Sequence, residues 1–185
     1  MTGVQTCALP ISAAGYIVQH LAEFGLATAG EESYFQPFNK KYDNCRNIIA
    51  LLPGKHPKLK HEIIAIGAHY DHVGYGQGKN RGPVHNGADD NASGTATVLE
   101  LARYFSKPRN KPDRSLMFCF WDSEEQGLIG SKYWVEQPTV ELSRIVFKVN
   151  IDMIGRLEGE TLEVQGNRSG HGIKEPLNAA NAKLG

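Results

Sequence analysis

Ile63-Ile64-Ala65-Ile66-Gly67-Ala68-His69-Tyr70-Asp71 is the stretch on which the reading of this chain turns. From Ile63 to Ala68 no side chain is polar, and at its end an imidazole and a carboxylate arrive together. A short run apolar on both faces is expected of a strand that helices cover from both sides of a largely parallel sheet. Two further runs repeat the pattern. Leu116–Trp121 feeds Ser123-Glu124-Glu125, and Ile145–Ile151 feeds Asp152. A fourth cluster, Gly87-Ala88-Asp89-Asp90-Asn91, opens a helical segment. Strand and helix alternate elsewhere too, which predicts an α/β fold: a three-layer sandwich around a central mixed, largely parallel sheet.

Working outward, residues 13–27 predict an amphipathic helix, with Ile17, Leu21 and Phe24 at helical spacing. Tyr34–Phe38 and Asn47–Leu52 read as strands. Residues 72–88 hold five glycines and a proline without periodicity, a long loop of the kind that tends to be functional. Helices are expected at 91–106, 124–136 and 173–184, and a last strand at Thr161–Val164.

Composition sets mild limits. The 185 residues suit one domain with a sizeable core. Twenty basic and twenty acidic residues leave no electrostatic footprint for nucleic acid. No apolar run approaches the roughly 20 residues that span a bilayer. Three cysteines do not make a disulfide framework. Met1–Ile11 lacks the basic and apolar regions of a secretory signal and resembles a translated sequencing adapter. We therefore expect residues 1–12 to be a non-native leader and 13–185 to be the domain, truncated at its C-terminus.

Each cluster has a bland reading. His69 could simply be hydrogen-bonded to Asp71 at a strand end. Asp90 or Asn91 could cap a helix, and Ser123-Glu124-Glu125-Gln126 fits a capping box. Asp152 resists dismissal, because an acid closing a buried run is costly without a partner. Four such coincidences point instead to ligands gathered where strands end. Imidazole and carboxylates there suit a pair of zinc ions, one carboxylate spanning both and another free to take a proton.

The segments Ile66–His72, Gly87–Gly94, Glu124–Ser131 and Asn150–Arg156 together resemble the co-catalytic di-zinc aminopeptidases, peptidase family M28 of clan MH, over about residues 44–185. The resemblance implies that His69 and Asp152 bind one zinc, that Glu125 binds the other, and that Asp89 bridges them. It makes Glu124 the general base, Asp71 the carboxylate behind His69, and the Asp89–Asp90 peptide cis. It further implies a peptide substrate with a free N-terminus and an extracytoplasmic location.

The family completes its second zinc site with a histidine well downstream. His171, the only histidine after Asp152, lacks that context and reads as a surface-loop residue. His72 and His85 read as solvated residues of the long loop. Residues 1–185 are thus expected to hold one zinc better than two and to show little activity. Two rival functions remain: a glutaminyl cyclase with a single zinc, and a non-catalytic clan relative acting as a binding module. Metal stoichiometry and turnover separate all three.

Overall fold

Aliphatic and aromatic side chains leave Ile63–His69 and Ser115–Trp121 almost no solvent-facing position, and both become central strands. The computed structural model describes residues 8–38, 44–75, 84–156, 161–166 and 169–184. Helix α1 (Ala8–Glu23) is followed by β1 (Ala27–Thr28), β2 (Phe35–Phe38), β3 (Cys45–Leu52) and β4 (Ile63–His69). β5 (Gly74–Tyr75) and β6 (Val84–His85) form a small antiparallel ribbon. Then come α2 (Gly94–Ser106), β7 (Ser115–Trp121), α3 (Ile129–Glu136), β8 (Ile145–Asn150) and α4 (Lys174–Leu184). Met1–Gly155 make up one unit, and Arg156–Gly185, with α4, a second.

In the first unit the sheet order is β1-β3-β7-β4-β8, with β2 also on β3. β3 runs antiparallel to β7, whereas β4 is parallel to both β7 and β8. The register sets His69 beside Trp121 and Gly67 beside Asn150. The carboxyl ends of these three strands therefore finish together at one edge.

Side chains alternate across the sheet into two cores. Ile48, Ala50, Phe118 and Phe120 meet Ile17 and Leu21 of α1 and Val98 and Ala102 of α2 on one face. Ile49, Ile63, Met117 and Trp121 meet Trp134 of α3 on the other. Each fully buried aliphatic or aromatic side chain contributes about 1.5–3 kcal/mol relative to its exposed state. The unit is accordingly a three-layer α/β sandwich on a mixed sheet.

Five elements differ from expectation. β8 is not covered on both faces: Val146 is 50%, Phe147 40% and Val149 36% exposed, since this strand pairs only with β4 among the described residues. α2 begins at Gly94 rather than 91, and α3 at Ile129 rather than 124. At Thr161–Val164 only Thr161 makes an isolated bridge. α1 starts at Ala8 and stops at Glu23, ahead of Gly25, whose φ of +72° suits glycine.

Candidate metal centre

Parallel pairing of β4 with β7 and β8 brings their acids to one place. His69, 2% exposed, closes β4. Its Nε2 lies 3.1 Å from Asp90 Oδ1, 3.5 Å from Asp152 Oδ1 and 3.9 Å from Glu124 Oε2. A second group adjoins the first: His72 Nδ1 is 2.8 Å from Glu125 Oε1 and 4.0 Å from Asp90 Oδ2. His69, Asp90 and Asp152 thus form one set of convergent donors, and His72, Asp90 and Glu125 form another. Asp90 belongs to both, one oxygen turned toward each imidazole.

The carboxylate expected at the centre was that of Asp89, and here the geometry corrects the sequence reading. Asp89 lies outside both sets among the described residues. Its Oδ1 accepts from Gly155 N at 2.8 Å, and its carbonyl accepts from Ser93 Oγ at 2.7 Å. The cis peptide is likewise Asp90–Asn91 rather than Asp89–Asp90. The reason is local. Ala88–Ser93 is an irregular turn in which Asp90 (φ −104°, ψ 94°) and Asn91 (φ −134°, ψ 45°) leave helical geometry. Asn91 is held from three sides: Oδ1 accepts from Gly94 N and Met153 N, and Nδ2 donates to Ile151 O. Any Cβ at Gly94 would collide with Asn91 Oδ1 and with Ile151 O. Anchoring Asn91 delivers its predecessor, Asp90, to the strand ends.

Asp71, 6% exposed, was expected to accept from the outer ring nitrogen of His69, and its hydrogen bonding differs. His69 Nδ1 is 3.1 Å from the Asp71 backbone carbonyl and 3.5 Å from its carboxylate. The carboxylate accepts instead from two amides, Glu124 N at 3.0 Å and Glu125 N at 3.3 Å. That grip explains why residues 123–128 form a loop where a capping box and helix were expected. Ser123 has φ +57° and its Oγ donates to Cys45 Sγ at 3.3 Å. Asp71 therefore aims Glu124 and Glu125 as well as His69.

Charge and burial compete in this cluster. Burial opposes a charge on His69, but Asp71, Asp152 and Glu124 outweigh it, and the pKa rises to about 9. For Glu124, burial raises the carboxyl pKa; His69 counters this, while Asp71, Glu125 and Asp152 add to it. A raised carboxyl pKa suits a group that must both take and return a proton.

Three contributors escaped the sequence reading. Asp90 reads in the sequence as a helix cap. His72, which the sequence presents as a solvated loop residue, lies beside Glu125; its place three residues past His69 is the available signal. Asp122, 6% exposed, accepts from Arg46 N at 2.9 Å, and Tyr70 Oη lies 3.3 Å away. Its own amide donates to Asn47 Oδ1, whose Nδ2 donates to Gln36 Oε1 and to Gly130 O. This buried network fixes the start of the Glu124–Glu125 loop, and polar residues inside strands gave no hint of it. His85 lies 6.4 Å from His72 between ring centroids. His171, in the second unit, is exposed.

An imidazole with two carboxylates is a donor set that fits zinc. The 2.8 Å approach of the His72 Nδ1 and Glu125 Oε1 atoms fits it as well. Among the described residues no helix is long and apolar enough to cross a membrane.

Known proteins resemble this chain in both sequence and fold. Leupeptin-inactivating enzyme 1 of Streptomyces exfoliatus is 38% identical over 70% of this chain and 27% of its own length. Aminopeptidase YwaD of Bacillus subtilis is 37% identical over 60% of this chain and 22% of its own. The chain thus spans about a quarter of the length of these relatives. A zinc-dependent exopeptidase from Parabacteroides distasonis shares the fold at 22% identity, with a TM-score of 0.72 over 96% of this chain and 65% of that one. The glutaminyl cyclase of Porphyromonas gingivalis shares it too, at 24% identity and a TM-score of 0.63 over 78% and 52%. The model of Peptidase family M28 matches residues 47–185, all three donor-bearing strands included, and the chain belongs to that family.

Proposed function

We propose that the protein is a metallo-aminopeptidase that hydrolyses the N-terminal peptide bond of peptides, with zinc as its metal. His69, Asp90 and Asp152 would hold one ion. Glu125 and the second oxygen of Asp90 would hold the other. The observation that carries the reading is the split of the Asp90 carboxylate, Oδ1 toward His69 and Oδ2 toward the Glu125 side. Bound zinc would supply Lewis-acid polarisation of the scissile carbonyl and bring the pKa of water near neutrality.

The remaining work falls to the chain. Glu124 faces the cluster from outside both donor sets, so it is free to take a proton from the attacking water and pass it to the leaving amine. Its neighbour Glu125 points to the other donor set, and Asp71 holds both backbone amides so that the two roles stay separate. Surrounding carboxylates can receive the free ammonium terminus of a substrate. Two ions per complete domain and an extracytoplasmic location belong to the same proposal and rest on the family resemblance.

The test is the zinc-loaded full-length gene product offered leucine p-nitroanilide and, separately, a peptide with N-terminal glutamine. Release of the amine is expected. The Glu124→Gln variant should keep its zinc and lose roughly 10²–10⁴-fold in turnover. Equal zinc loss in Glu124→Gln would assign that residue to the metal. Cyclisation of the glutaminyl peptide without hydrolysis would make the protein a cyclase. Absence of zinc and turnover would leave a binding module.

A further inference from the structure

We propose that Asn47 is a positioning residue for Glu124: its carboxamide closes the neck of the loop that carries the general base and so sets where that base stands. The inference rests on the reading of Glu124 as the base. It is separate from the grip of Asp71 on the Glu124 and Glu125 amides, because Asn47 acts on the two ends of the loop.

The loop leaves β7 at Asp122 and returns at Gly130, in the first turn of α3. Two backbone bonds close it, Gly130 N to Asp122 O at 3.0 Å and Ile129 N to Ser123 O at 3.1 Å. Main-chain pairing of β3 with β7 stops at Ile48 and Phe120. One residue further back along β3, the side chain of Asn47 continues it. Asn47 Oδ1 accepts from Asp122 N at 3.2 Å, and Nδ2 donates to Gly130 O at 2.9 Å. The carboxamide thus stands where a peptide group would, taking the N–H of the first neck residue and the C=O of the last. Both partners are backbone groups of fixed polarity, so they dictate which end of the amide faces which. Gly130 is fitted to the same place: a Cβ there would collide with Asp122 O and with Asn47 Oδ1.

A second carboxamide extends the clamp. Gln36 faces Asn47 across the β2–β3 pairing. Its Oε1 accepts from Asn47 Nδ2 at 3.0 Å, and its Nε2 donates to Gln137 O, just past the end of α3, at 2.6 Å. Both side chains are fully buried. The neck of the loop and the far end of α3 therefore hang from two paired strand residues, and neither amide can shift without leaving a buried partner unsatisfied. Glu124 depends on this more than its neighbour does. Bound metal would tie down the Glu125 carboxylate, whereas a base must stay unligated. Its backbone alone then sets the 3.9 Å approach of Glu124 Oε2 to His69 Nε2. Misplacing a reacting group by about 1 Å can cost about 10²-fold in rate.

The experiment is a double-mutant cycle on the zinc-loaded full-length gene product with leucine p-nitroanilide, paired with amide hydrogen exchange on the metal-free protein. In Asn47→Ala, kcat should fall by up to about 10²-fold while KM and bound zinc change little. In a Glu124→Gln background the same substitution should cost nothing further, since no base is left to misplace. Exchange should quicken at the Gly127–Gly130 amides and stay slow at Ile66 and Phe118. An unchanged kcat, losses that add in the double variant, zinc lost in step with kcat, or loop amides as protected as before overturns the proposal and leaves Glu124 as the base. Full turnover by Glu124→Gln would instead sink the underlying reading, and this inference with it. Should Asn47→Ala fail to fold, Gln36→Met decides: it leaves Asn47 on the neck but frees the far end of α3. A smaller loss of kcat is then expected, absent in the Glu124→Gln background; no loss, or one that persists there, overturns the proposal.

Discussion

β7 and β8 flank β4, run parallel to it and hand acids to the same edge, yet they are secured by different means. Every residue of β7 is buried, whereas nearly every residue of β8 is exposed. After β7, the Glu124–Glu125 loop is pinned by Asp71 and by the Asn47–Asp122 network. After β8, Asp152 sits in a loop tied to the turn before α2: Ile151 O and Met153 N to Asn91, Ile154 N to Ser93, and Gly155 N to Asp89. Side-chain hydrogen bonds secure both halves of the site, and only the β7 half adds full burial of its strand. Acids can thus be gathered at a sheet edge with only one fully covered flank, where the turn beside it holds the second.

Asp90 belongs to both flanks, so its loss should have the largest effect. Asp90→Ala should leave the zinc-treated protein with almost no metal by atomic absorption; one tightly held ion would show that the flanks bind independently. Next in size is the contrast in packing. Phe118→Ala should cost about 3–5 kcal/mol in urea unfolding, and Phe147→Ala on β8 at most about 1 kcal/mol. Equal losses would mean that β8 is covered in solution. The smallest effects separate the two anchors. Asp71→Asn should weaken binding of the Glu125-held ion by about 10–100-fold. Asp89→Ala, which removes one acceptor, should weaken the Asp152-held ion by less than about tenfold, in keeping with a net hydrogen bond of about 0.5–1.5 kcal/mol. Reversal of that order in zinc titrations would return Asp89 to the metal.

The strand-then-acid pattern was readable because a strand covered on both faces admits almost no polar side chain, so a sudden His69 or Glu124 stands out. The choice between Asp89 and Asp90 was not readable in the same way. Two adjacent acids carry no mark of which one the turn will aim, and the answer depends on Asn91 reaching Ile151 and Met153 some sixty residues away. The start of α3 misled for a related reason: a sequence that suits a capping box lost its amides to the distant Asp71. Local propensity yields where a buried carboxylate can take two N–H groups at once. Gln36, Asn47 and Asp122 were invisible because their partners are backbone groups and one another, brought together only by the β2–β3–β7 pairing.

Asn91 has a consequence for how the site opens. One amide oxygen accepts from Gly94 at the head of α2 and from Met153 beyond β8. An excursion that withdraws Asn91 exposes both N–H groups in a single event. The two amides should therefore exchange with deuterated solvent at a common opening free energy, one cooperative unit despite their separation in sequence. The first turn of α2 and the Asp152 loop are kinetically one piece.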